Sequence, residues 1–218
     1  ANDDQVRWYE NDGAVNPSWT AITISSAADY VEGLYQADLD NDGDIDVISA
    51  SYNDDKLAWY ENDGAADPSF TTRNISTSVN GANSVFAADL DNDGDIDILV
   101  TAHSDDIIYW YENDGAADPS FAQRTVASSE DEARCVYAAD MDNDGDMDVI
   151  GAIEIEDRIV WYENDGAADP SFTANSITTS ADQAVSVFAM DIDRDGDMDL
   201  VSASSNDDKI AWYENDGA

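Results

Sequence analysis

Basic residues are scarce in this chain of 218 residues. Lys and Arg together number 8 against 50 Asp and Glu, a formal charge of −42. Nucleic acid and anionic membrane surfaces are repelled at long range by such a charge and are poor partners, so neither nucleic-acid binding nor membrane insertion is expected. Cysteine is reduced to Cys135, so a disulfide within the chain is excluded. Its counterparts in the repeats described below, Gly33, Ser84 and Ser186, are small, and Cys135 reads as a packing position beside a strand. No run of 18 apolar residues occurs, so no membrane-spanning helix is expected. No signal segment is visible in the opening Ala1-Asn2-Asp3-Asp4, and the chain reads as a mature form or an excised segment. The one histidine, His103, has no Ser or Cys partner in view and reads as a surface-loop residue.

What is present is patterned. So acidic a composition can signal disorder, but 43% of the residues are apolar, with six Trp and ten Tyr. Trp8, Trp59, Trp110, Trp161 and Trp212 stand 51 residues apart, and each opens the hexapeptide Trp-Tyr-Glu-Asn-Asp-Gly. An internal repeat of this period governs the reading of the fold. The units are an N-terminal segment over residues 1–26, repeats over 27–77, 78–128 and 129–179, and a partial repeat over 180–218.

Each period reads as four short strands with no helical periodicity. Strand one is Ser84–Ala88 and its equivalents. Strand two is Ile96–Val100, strand three Lys56–Tyr60 and strand four Phe70–Ile75. Strands one and two are apolar and nearly continuous, whereas strand four is polar and Thr-rich. That gradient suits a blade whose first strand lies near a central axis and whose last strand is exposed. The expected fold is all-β, a β-propeller of four 51-residue, four-stranded repeats. It is either a closed four-bladed ring or an open segment of a larger array. The chain enters at a strand three and leaves after another strand three, so one is surplus. A surplus strand suits head-to-tail pairing with a second copy.

Residues 38–46 read Asp-Leu-Asp-Asn-Asp-Gly-Asp-Ile-Asp, and the stretch recurs at 89–97, 140–148 and 191–199. Twenty of the acids fall in these four loops. Asp38, Asp40, Asp42 and Asp46 occupy positions 1, 3, 5 and 9, and Gly43 permits a sharp turn at position 6. Alternate side chains of a tight loop converge, and the carbonyl of Asp44 adds an oxygen. Both oxygens of Asp46 can bind, which makes the six to seven oxygen ligands that Ca²⁺ favours. Mg²⁺ demands stricter octahedral geometry, and Zn²⁺ lacks nearby Cys or His. An EF-hand requires Glu at position 12 and flanking helices. Ser49, Val100, Gly151 and Ser202 stand there, between strands.

The stretch Phe86-Ala-Ala-Asp-Leu-Asp-Asn-Asp-Gly-Asp-Ile-Asp97, followed by an apolar strand and Trp-Tyr-Glu-Asn-Asp-Gly, resembles FG-GAP-like (VCBS-type) repeats. These are the calcium-binding blades also found in integrin α-subunit propellers. The resemblance covers essentially the whole chain. It implies that each loop joins strands one and two of a blade and holds one Ca²⁺, about four in all. The implied ligands are Asp38, Asp40, Asp42, Asp44 and Asp46 in the first loop, and Asp89, Asp91, Asp93, Asp95 and Asp97 in the second. The third supplies Asp140, Asp142, Asp144, Asp146 and Asp148, and the fourth Asp191, Asp193, Asp195, Asp197 and Asp199. Arg194 replaces Asn at a non-ligand position of the fourth.

The acidic loops and the Asn-Asp-Gly-Ala turns share one rim by strand alternation. The opposite rim is where the copies differ, as in Tyr52-Asn53, His103-Ser104 and Glu154-Ile155-Glu156, and it is the preferred ligand face. Near-identity of the repeats argues against an enzyme, because catalysis needs an asymmetric constellation. The expected function is an extracellular, secreted or surface-attached structural or adhesive module stabilised by calcium. Its expected partners are further copies of itself, assembled head to tail into fibres, or a cell-surface protein or glycan. The alternative is a carbohydrate-binding propeller using Trp or Tyr between blades. Asn74-Ile75-Ser76 is the one N-glycosylation sequon.

Overall fold

The computed structural model describes residues 4–217. Residues 1–3 and 218, which belong to the terminal units drawn from the sequence, lie outside the described residues. Among the described residues the secondary structure is entirely β, in 17 strands. The N-terminal hairpin pairs β1 (Val6–Asn11) with β2 (Trp19–Ser25). Three four-stranded antiparallel sheets follow. The first contains β3 (Val31–Ala37), β4 (Asp46–Ser51), β5 (Lys56–Asn62) and β6 (Phe70–Ser76). The second runs through β7 (Ala82–Ala88), β8 (Asp97–Ala102), β9 (Ile107–Asn113) and β10 (Phe121–Ser128). The third runs through β11 (Ala133–Ala139), β12 (Asp148–Ile153), β13 (Arg158–Asn164) and β14 (Phe172–Thr178). A three-stranded sheet of β15 (Ala184–Met190), β16 (Asp199–Ser204) and β17 (Lys209–Tyr213) ends the chain.

Within each sheet the strands pair in chain order. The first strands β3, β7, β11 and β15 are successive neighbours, so the sheets are ranged about an axis as propeller blades. Tyr35, Phe86, Tyr137 and Phe188 stack along these inner strands with ring centroids 4.5, 4.5 and 4.7 Å apart. The second strands β8 and β12 are buried on both faces, which explains their continuous apolar sequence. The fourth strands alternate between exposed and half-buried positions.

The core is a series of layers between blades. Leu39, Ile48, Leu57 and Trp59 of one blade meet Val85, Ile98, Val100 and Tyr111 of the next. Leu99, Ile108 and Trp110 then meet Val136, Val149, Val160 and Tyr162. Phe121 stands edge-on to Trp59 at 6.3 Å, and Phe172 to Trp110 at 6.4 Å. Ion pairs cross the outer part of the same junctions, from Arg73 to Asp118 and from Arg124 to Asp169, both at 2.7 Å. A repeat therefore buries its apolar faces only by stacking on its neighbours.

Candidate metal centres

Each acidic loop connects the first and second strands of a sheet, as from β3 to β4. The turn is closed by its own carboxylates. The Gly43 amide donates to Asp38 Oδ2 at 3.0 Å, and the Asp44 amide donates to Asp42 Oδ1 at 2.9 Å. The same bonds recur in the second loop, from Gly94 to Asp89 and from Asp95 to Asp93. Gly43, Gly94, Gly145 and Gly196 hold φ between 95° and 104°, a backbone region that is strained for side chains with a Cβ. The residues at position 4 are left-handed too, with φ of 58°, 60° and 62° at Asn41, Asn92 and Asn143 and 70° at Arg194. Asn tolerates that region better than most residues.

The carboxylates converge as alternation requires. Oxygens of Asp38, Asp40 and Asp42 lie within 4.8 Å of one another. So do those of Asp89, Asp91 and Asp97, of Asp140, Asp142 and Asp148, and of Asp191, Asp193 and Asp199. Positions 1 and 3 thus serve all four groups, joined by position 5 in the first and position 9 in the others. Position 9 is also an anchor. Asp97 is fully buried and accepts the Leu90 amide at 3.0 Å and the Asn113 amide at 2.8 Å. Position 7 turns away, and its carboxylate takes a bond from the preceding blade. Asn41 Nδ2 donates to Asp95 at 2.6 Å, Asn92 donates to Asp146, and Asn143 donates to Asp197 at 2.7 Å. Position 7 is not among the carboxylates that converge in the four groups.

Burial without a counter-charge dominates the electrostatics. It pushes Asp97 up to about 7 and Asp46 and Asp148 up to about 6, against which the backbone amides pull down. The indole N–H of Trp59 approaches Asp46 without closing a full hydrogen bond. Asp40, Asp91 and Asp142 are also raised by burial, and their carboxylate neighbours add to the rise. Asp199 moves the other way, held low by the Asn215 amide in the sheet over which no further blade stands. Asp89 Oδ1 is buried with no hydrogen-bond partner. Clustered, desolvated carboxylate oxygens and an orphaned acceptor fit a hard dication.

Sequence reasoning missed the asparagine of Trp-Tyr-Glu-Asn. Asn113 Nδ2 donates to Leu39 O in the preceding loop at 2.8 Å and to Ile96 O in its own at 3.0 Å. Asn164 and Asn215 repeat the double bond. The signal was its recurrence in every copy, which a turn alone does not require.

The opposite rim holds an asymmetric charged cluster. His103 Nε2 lies 3.6 Å from Glu132, and Arg134 bridges Glu154 at 3.0 Å and Glu32 at 3.7 Å. The His103 side chain is 12% exposed and stands against the Tyr52 ring, which is more enclosed than a surface-loop residue. Cys135 sits beside its strand neighbours, where burial pushes its thiol up.

The FG-GAP-like repeat pattern matches residues 1–49, 38–100, 89–151 and 150–202. A search of curated proteins finds no match. Among solved structures, BBS1N in complex with ARL6DN, soaked with lead, is similar at 12% identity and a TM-score of 0.54. That match covers 87% of this chain and 58% of the other. A luciferin-regenerating enzyme is similar at 15% identity and a TM-score of 0.55, covering 95% of this chain and 67% of the other. Likeness at such identities shows the fold alone. The chain spans about 58–67% of the length of these structures.

Proposed function

Because the chain belongs to the FG-GAP-like repeat family, we propose that it is an extracellular propeller module, structural or adhesive in role, whose blades are stabilised by calcium. The observation that carries this reading is the fourfold cradle of three carboxylate oxygens within 4.8 Å. Each cradle stands where two strands and a neighbouring blade are tied together. With affinities of ~10⁻⁴–10⁻³ M, typical of extracellular sites, and ~10 mM Ca²⁺, one site adds roughly 1.4–2.7 kcal/mol by mass action. Four independent sites add roughly 6–11 kcal/mol, comparable to the whole stability of a domain. Sites of that affinity would be filled only where calcium is plentiful, as it is outside the cell.

Isothermal titration of the chelated protein tests this reading. The expected result is about four Ca²⁺ per chain, with one lost in Asp89→Ala. Absence of saturable binding at millimolar Ca²⁺ overturns it. The carbohydrate-binding alternative needs aromatic platforms between blades, and Trp59 and Trp110 are buried there, each 1% exposed. The variable rim around His103, Glu132 and Glu154, whose charged cluster has no equivalent in the other blades' copies of these positions, is the adhesive surface in this reading.

A further inference from the structure

We propose that the rim opposite the acidic loops holds a site for a transition-metal dication of the Zn²⁺ class, ligated by His103, Glu132 and Glu154. The site is separate from the four carboxylate cradles and goes beyond the reading above. One imidazole nitrogen and one oxygen from each carboxylate lie within 4.8 Å of one another. The cradles offer oxygen alone, and this is the one such group among the described residues that adds a nitrogen.

The ligands stand on a backbone frame that the repeat builds at each junction between complete sheets and their successors. An aspartate in the turn between the second and third strands of one blade receives the connection that enters the next. Asp55 Oδ1 accepts the Gly81 amide at 3.0 Å, Asp106 Oδ1 the Glu132 amide at 3.1 Å and Asp157 Oδ1 the Gln183 amide at 2.9 Å. The main chain closes the same contact, as where the Glu130 amide donates to Asp106 O at 2.9 Å. Within each blade the turn then bonds back to the connection. The His103 amide donates to Gly81 O at 3.3 Å, and the Glu154 amide donates to Glu132 O at 3.2 Å. The β8–β9 turn therefore supplies His103 and also grips the segment of Glu132 across the junction of two blades. Glu154 is tied to Glu132 directly.

Only the side chains on this frame change. His103 and Glu154 occupy the same repeat position, where the other copies have Tyr52 and Ser205. Glu132 stands where the others have Tyr30, Gly81 and Gln183. The first junction thus sets Tyr52 beside Gly81 and the third sets Glu154 beside Gln183, neither of which makes a ligand set. The middle junction alone brings an imidazole and two carboxylates together among the described residues.

The spacing suits an ion better than a proton. His103 Nε2 stands 3.6 Å from Glu132 Oε2, which is too long for a hydrogen bond. Two ligands of one Zn²⁺, each about 2.0–2.2 Å from the metal and about 110–120° apart, stand about 3.4–3.6 Å from one another. The imidazole is largely enclosed, edge-on to the Tyr52 ring at 5.7 Å, and Tyr52 is edge-on to Tyr30 at 6.1 Å. Packing of this kind holds a ligand's rotamer before the metal arrives. Arg134 Nε bonds Glu154 Oε2 at 3.0 Å and its Nη1 approaches Glu32 at 3.7 Å. A carboxylate accepts on both oxygens, so Arg134 orients Glu154 and leaves an oxygen for the metal, as supporting groups around metal ligands do. With His103 neutral, Glu32, Glu132 and Glu154 against Arg134 leave two negative charges, which a dication balances.

The donor set selects the class of ion. Imidazole suits Zn²⁺ and its neighbours in the first transition row, whereas Ca²⁺ and Mg²⁺ take oxygen ligands. Millimolar Ca²⁺ is therefore a weak competitor here. Three protein ligands leave a coordination position open to water or to a donor atom of a partner.

His103 is the single histidine, so its imidazole resonances report on this site alone. The test is a Zn²⁺ titration of the protein in millimolar Ca²⁺, followed by the long-range ¹H–¹⁵N spectrum of the imidazole and by isothermal titration. The expected result is saturable binding of one Zn²⁺ that moves the Nε2 resonance and leaves Nδ1 as the protonated nitrogen. His103→Gln and Glu132→Gln are each expected to weaken that binding by about tenfold or more, since loss of even a supporting group costs about 10–100-fold. Far-UV circular dichroism without zinc verifies that both variants keep the wild-type fold, and the wild-type spectrum decides the matter if either does not. Zinc binding that leaves the imidazole resonances in place, or that is equally tight in a folded His103→Gln protein, overturns the proposal. Four bound Ca²⁺ with an unmoved imidazole removes this site alone. A moved imidazole without saturable calcium binding removes the calcium reading alone.

Discussion

One amide group of Asn113 holds two loops. It donates to Leu39 O and Ile96 O, both backbone acceptors of acidic loops in adjacent blades, from a side chain that is 1% exposed. Removing a buried donor leaves its acceptors without partners, at a cost of about 1–3 kcal/mol. Asn113→Ala is therefore expected to lower stability by that amount in urea unfolding. Asn62→Ala is expected to cost less, because Asn62 Nδ2 bonds only Ile45 O of its own loop. This role was not legible in the sequence, because Leu39 is 74 positions from Asn113 and no local rule links them. The glycine at position 6 was legible, since a sharp turn among side chains that must converge demands a residue without a Cβ.

At the scale of the element, the acidic loop is a place where the fold works against itself, since carboxylates are buried beside one another without a counter-charge. Asp97 is raised to about 7, and Asp46 and Asp148 to about 6, first by burial. A carboxylate whose folded pKa lies above its unfolded value near 4 stabilises the fold fully below that value. The contribution is lost as pH rises through the folded value. In excess chelator the melting temperature is expected to fall by several degrees between about pH 4 and pH 8, measured by circular dichroism. Saturating Ca²⁺, which favours the ionised form, is expected to flatten or reverse that slope. The strands themselves were readable from apolar runs and turn residues. The observed ladders extend them by one or two residues, as in Ala82–Ala88 and Lys56–Asn62, because pairing with a neighbour recruits polar ends that have no pattern of their own. Two features of the loop were hidden. Position 9 is an anchor accepting two amides, and position 7 gives its carboxylate to the neighbouring blade. Both depend on which strand lies alongside, and spacing does not encode that.

At the scale of the whole molecule, stacking and charge oppose each other. Apolar layers join one blade to the next, while a formal charge of −42 pushes them apart. The four calcium ions proposed above would neutralise only a small part of that charge, but in four places where acids are densely packed. The most direct test of the account is thermal unfolding of the chain at pH 7.5 in ~10 mM Ca²⁺ and again in excess EDTA. Roughly 6–11 kcal/mol of linked stability, at about 2–4 °C per kcal/mol for a chain of this size, predicts a melting temperature lower by more than about 10 °C in EDTA. A melting temperature that is the same in both buffers contradicts the claim that calcium holds these blades together.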